Sequence, residues 1–101
     1  MNFSPPSELE YAEARRVSHA FLERVVEEWA ERAMHHVRIR ELPDGYWIAD
    51  VAGLDGAWSD GKNAGEAVAA LPDILFDWAM LKIADRDGDI PPFGDIDLNT
   101  Y

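Results

Sequence analysis

The chain has 101 residues, 48% of them hydrophobic, no cysteine and a formal net charge of −11. That length supports one compact core and not two independent ones. The absence of Cys excludes disulfides, thiolate nucleophiles and Cys-based zinc sites, leaving oxygen and imidazole as the available chemistry. No apolar run nears the ~20 residues a membrane span needs. Residues 1–7 have neither the basic start nor the apolar block of a signal peptide, so a soluble, cytoplasmic protein is expected.

The acidity is local. Residues 1–40 hold seven acids against six Arg, a net of −1, whereas residues 41–101 hold thirteen acids against Lys62, Lys82 and Arg86, a net of −10. A surface of that sign repels nucleic-acid phosphates and accelerates encounter with a basic protein. The plainer alternative is that the charge only keeps the domain in solution.

Pro5 and Pro6 mark a short lead, and Ser7 is a suitable N-cap ahead of Glu8 and Glu10 in a first helical turn. From there to Met34 the small or apolar residues Tyr11, Ala14, Ser18, Leu22, Val25, Trp29 and Ala33 recur at spacings of three and four. The spacing predicts an amphipathic helix whose stripe packs on a sheet or on a second subunit. About 27 residues at ~1.5 Å each make ~40 Å, longer than a small sheet can cover. Leu22, Val25 and Trp29 are therefore expected to help form a homodimer or larger assembly.

The period then becomes two. Val37 and Ile39 oppose Arg38 and Arg40, which predicts a half-buried strand over residues 36–42. Pro43, Asp44 and Gly45 supply turn chemistry, and residues 46–51 read as the returning strand of a hairpin. Tyr46 and Trp47 are neighbours on it, so one aromatic faces away from any helix-covered side and needs the N-terminal helix or a partner to shield it. Residues 52–56 carry two glycines and should bend before a short third strand at residues 57–59.

Asn63 and Glu66 stand at capping-box spacing, so a second helix starts there and runs to about Ala84. Pro72 inside it predicts a kink. Asp87 and Gly88 should end it, and Pro91 with Pro92 keeps it from restarting. Ile96 and Leu98 alternate with Asp97 and Asn99, leaving room for a final strand. One compact unit over residues 35–101, preceded by the lead and helix of residues 1–34, is the resulting domain organisation.

The segment DGYWIADVAGLDGAWSDGKNAGEAVAALPDILFDW, with DGDIPP further on, resembles the HicB-like antitoxin family over roughly residues 35–93. The likeness lies in a GYW-type hairpin, a G-L-x-G bend, a small-residue-capped helix and an I-P-P ending. Ala57 and Trp58 stand where that family often has Cys and an aromatic. The resemblance implies an α+β, partial ribonuclease-H-like fold: three to four mostly antiparallel strands in the order β-β-β-α-β, with the long N-terminal helix as an addition. It also implies a non-enzymatic binder that masks a small basic RNA-cleaving toxin. The C-terminal DNA-binding segment usual in that family has no counterpart here, so no direct nucleic-acid contact is expected.

Other chemistry is weighed against structural roles. His35 and His36 are adjacent and project to opposite sides of an extended chain, and His19 is remote, so no metal site is expected. Asp85, Asp87 and Asp89 around Gly88 fail the spacing of a calcium loop and read as a helix-ending turn. Asp50, Asp60, Asp73 and Asp77 are the acids a nuclease would need to converge. Ser59 lacks a nearby His in sequence.

No catalytic residue, cofactor or metal is therefore expected. The expected partner-binding residues are Asp55, Trp58, Asp60, Asp95 and Asp97, facing a small basic toxin-like protein. The alternative is a stand-alone homo-oligomer with no toxin.

Overall fold

The computed structural model describes residues 8–100, with side chains from residue 19 onward. The expected lead at Pro5 and Pro6 and the Ser7 cap lie outside the described residues. In chain order the elements are helix α1 (Glu8–Met34), strands β1 (Val37–Glu41), β2 (Trp47–Val51) and β3 (Trp58–Gly61), and helix α2 (Ala64–Asp85). A short 3-10 helix follows at Leu98–Thr100. The class is α+β. The three strands form one antiparallel sheet in the order β1-β2-β3, as a sequence of short alternating strands and tight turns demands.

Local chemistry explains each joint. In the β1–β2 turn Gly45 takes φ +88, a left-handed conformation that favours glycine. Asp44 Oδ1 accepts from the Tyr46 amide at 3.0 Å, an Asx turn that closes the hairpin. The β2–β3 bend uses two more such glycines, Gly53 (φ +86) and Gly56 (φ +85).

Asn63 caps α2 from an extended conformation, its side chain accepting from the Glu66 amide at 2.9 Å. Glu66 reaches back to the Lys62 amide at 2.8 Å, one residue earlier than a standard capping box. At the other end Arg86 adopts the left-handed C-cap (φ 55, ψ 40) that the sequence suggested for Gly88. α2 runs as a single helix through Pro72.

α2 lies across one face of the sheet, touching β3 and β2 most and β1 least. Ala49, Val51, Ala57 and Ser59 point into that contact and are buried. Ser59 Oγ donates to the Ala67 carbonyl at 2.6 Å, tying β3 to the first turn of α2. The approach is so close there that a Cβ on Gly61 would come within 2.6 Å of the Ala67 amide nitrogen.

α1 does not lie on the sheet. Its last turns pack on α2 and on the segment after it. Val26, Trp29, Ala30 and Ala33 are buried there. The Trp29 ring stacks on Trp78 at 6.1 Å, meets Phe93 edge-on at 5.5 Å, and its Nε1 donates to the Pro91 carbonyl at 2.8 Å. Trp29 thus belongs to this chain's own core, which corrects the expectation that it serves assembly. Leu22 and Val25 are half-buried against the same core.

The expected final strand is also corrected. Phe93 and Ile96 form an isolated bridge and the chain then turns into the 3-10 helix. Asp97 Oδ1 accepts from the Asn99 amide at 2.9 Å. The Asn99 side chain bonds both the amide and the carbonyl of Ile90, at 2.9 and 2.8 Å. Such side-chain bonds offer the backbone an alternative to a strand ladder.

Candidate functional site

Among the described residues, nothing covers the sheet face away from α2. The β1–β2 register pairs Arg38 with Asp50 and Arg40 with Ile48, and the β2–β3 register pairs Asp50 with Trp58 and Ile48 with Asp60. Strand alternation sends all of these side chains to the side opposite Ala49 and Ser59. Two rows therefore cross the open face: Arg38–Asp50–Trp58, and Arg40–Ile48–Asp60. Trp58 is 53% exposed and Tyr46, further along the same side, is 44% exposed.

Of the two neighbouring aromatics, Trp47 turns inward against the core and Tyr46 turns out. Trp58 is the most exposed of the four Trp residues, because Ala57 and Ser59 take the inward positions of β3. The first row is internally neutralised. Arg38 Nε and a terminal guanidinium nitrogen each donate to a different Asp50 carboxylate oxygen at 3.0 Å. The hydrogen bond to Asp50, then its charge, raises the Arg38 pKa further. In the second row Arg40 and Asp60 make no ion pair within the described residues.

A second surface lies between the helices. A groove of about 720 Å³ has Ala30, Met34, Pro72 and Phe76 as its apolar lining, with Glu27, Glu31, Asp73 and His35 around it. Among the described residues no Lys or Arg lines it, and none of its three carboxylates is ion-paired. Glu27 and Glu31 are four apart on α1, a like-charge spacing that costs an isolated helix a few tenths of a kcal/mol.

The groove was not foreseen in the sequence. The Glu27 and Glu31 spacing beside Ala30 and Met34 was the available signal, but the contribution of Asp73 and Phe76 depends on how the helices meet.

The residues expected to bind a partner are divided. Trp58 and Asp60 sit on the open face, and Asp55 joins Trp58 in lining a small pocket at its margin. Asp95 and Asp97 lie on the C-terminal segment, where Asp95 pairs with Arg32 and Asp97 holds Asn99. The four acids of a hypothetical nuclease divide as well. Asp50 and Asp60 leave the open face, while Asp73 and Asp77 are exposed on α2, which covers the other.

His19 pairs with Glu23 at 2.9 Å and His36 stacks on Phe93 at 5.5 Å. Ser59 Oγ is committed to the Ala67 carbonyl. At the end of α2, Lys82 bridges Asp87 and Asp89 at 3.4 Å each. Partial burial disfavours the Lys82 charge, yet the two acids outweigh it and raise the pKa. No helix among the described residues is long and apolar enough to cross a membrane.

No protein-family model and no curated protein matches this chain. Among solved structures, it is similar to the crystal structure of TTHA0281 from Thermus thermophilus. The two are 27% identical, the match covers 71% of this chain and 89% of that one, and the TM-score is 0.60.

Proposed function

We propose that this chain is a non-enzymatic, HicB-like protein-binding module, an antitoxin or a derivative of one, that masks a small basic RNA-cleaving protein in the cytoplasm. The observation that carries the reading is the groove between α1 and α2, where an apolar floor is rimmed by Glu27, Glu31 and Asp73 with no cation among the described lining residues to balance them. A partner presenting an apolar side chain between Lys or Arg residues would fill the floor and relieve the like-charge spacing of Glu27 and Glu31. The net charge of −11 would draw it in.

The hairpin, bend and capped-helix sequence over residues 35–93 supports the family assignment. The division of Asp50 and Asp60 from Asp73 and Asp77 supports a binder over a hydrolase. The lack of cysteine suits a reducing compartment.

The test is to co-purify the chain with a short basic protein encoded beside it and to follow association as a function of salt. The rate should fall as salt rises, and the variant Glu27→Gln/Glu31→Gln/Asp73→Asn should associate more slowly. A salt-independent rate would remove the electrostatic basis. A loss of rate on neutralising Asp55, Asp60, Asp95 and Asp97, with the groove variant unaffected, would move the contact to those acids.

The second reading, a stand-alone homo-oligomer, is favoured by the uncovered aromatic face of the sheet.

A further inference from the structure

We propose that the open sheet face is where two copies of this chain pair, sheet on sheet, about a two-fold axis running parallel to β2. The order of charges across the strands points to it. The row Arg40–Ile48–Asp60 places a cation on one edge strand, an apolar residue in the middle and an anion on the other edge. Neighbouring strands are ~4.8 Å apart, so the two charges stand ~10 Å from each other.

A face-to-face pair with strands aligned can be related by either of two axes lying between the sheets. An axis perpendicular to the strands and passing over this row sets Arg40 on the partner's Arg40 and Asp60 on the partner's Asp60, which is repulsive at both ends. An axis parallel to β2 sets β1 over the partner's β3. Arg40 then meets the partner's Asp60 twice, and Ile48 meets its own copy at the centre.

The neighbouring row follows the same operation. Arg38 lies over the partner's Trp58, a cation–π arrangement that covers an indole otherwise 53% exposed. Asp50 approaches its own copy, but each is already held by two bonds from Arg38. Packed sheets cross at about 30° and stand ~10 Å apart. At ~5 Å from the axis that rotation shifts an edge residue by roughly 2.5 Å, within the reach of an arginine.

This pairing is independent of any toxin. The groove lies among the helices on the other side of the sheet, so each copy keeps it free.

Light scattering on the full-length chain, with circular dichroism to confirm folding, tests the proposal. Wild type should have twice the 11.4 kDa monomer mass. Arg40→Glu and Asp60→Arg should each be folded monomers, because each makes both ends of the row like-charged across the axis. Mixed in equal amounts, the two variants should recover the dimer mass, since each reversed end then meets an opposite charge. The double variant Arg40→Glu/Asp60→Arg should also dimerise by itself. A wild-type monomer at high micromolar concentration, a dimer indifferent to the single reversals, or a mixture that stays monomeric would each overturn the proposal, the second by placing the contact elsewhere or giving this face to a different occupant.

Discussion

The two faces of the sheet are built from the same three strands and obey opposite rules. The face under α2 includes the buried groups Ala49, Val51 and Ser59, and its one buried polar side chain is bonded to the helix. The open face carries Arg38, Arg40, Asp50 and Asp60 around Ile48 and Trp58, with the cations on β1 and the anions on β2 and β3. The covered face is therefore organised by close approach, where a methyl group matters. The other is organised by charge order, where shape is loose and sign decides. Substitutions on the covered side and in the core should change stability, and substitutions on the open side should change association while leaving the fold intact.

The largest effect belongs to Trp29, which joins α1 to α2 and to the C-terminal segment. Trp29→Ala should cost about 3–5 kcal/mol, a large share of the ~5–15 kcal/mol typical of a domain, and lower the denaturation midpoint accordingly. Loss of assembly at unchanged stability would instead place Trp29 outside the core.

Gly61→Ala comes next, at about 1–3 kcal/mol, because the added methyl meets the backbone of α2 rather than a movable side chain. An unchanged urea midpoint would mean that α2 can back away from β3.

Asn63→Ala removes the helix cap and should cost about 1 kcal/mol, with Asn63→Asp retaining most of the stability. Equal losses in both variants would assign the effect to something other than the cap.

Trp58→Ser should change stability by less than about 0.5 kcal/mol while weakening self-association. A stability loss near that of Trp29→Ala would show that Trp58 is buried in the free protomer and would erase the distinction between the faces.

Much of this was readable locally. The Asn63 and Glu66 spacing specified its capping bond, because the partners are three residues apart and the geometry is internal to one turn. The alternation of Arg38 and Arg40 against Val37 and Ile39 likewise specified which side chains share a face. For Trp58, alternation states that it opposes Ala57 and Ser59 without stating which set α2 will cover. The Ile96 and Leu98 pattern failed for a related reason: Asp97 and Asn99 satisfy backbone groups through their own side chains, and the two bonds to Ile90 form only once that residue has been brought alongside.

What the sequence alone determined, then, are the two helices, the three strands and the Asn63 cap of α2, since periodicity, capping and turn chemistry act over a few residues and need no distant partner. The tertiary structure alone decided where α1 settles. Its apolar stripe was equally suited to a sheet or a second subunit, and it met another helix instead. The outcome turned on Trp78, Pro91 and Phe93, residues far along the chain that reach Trp29 from three directions. That placement leaves one side of the sheet uncovered by any described element and creates the acid-rimmed groove. Local spacing shows which side chains share each surface, but whether the surface stays open is defined by where a separate element stops.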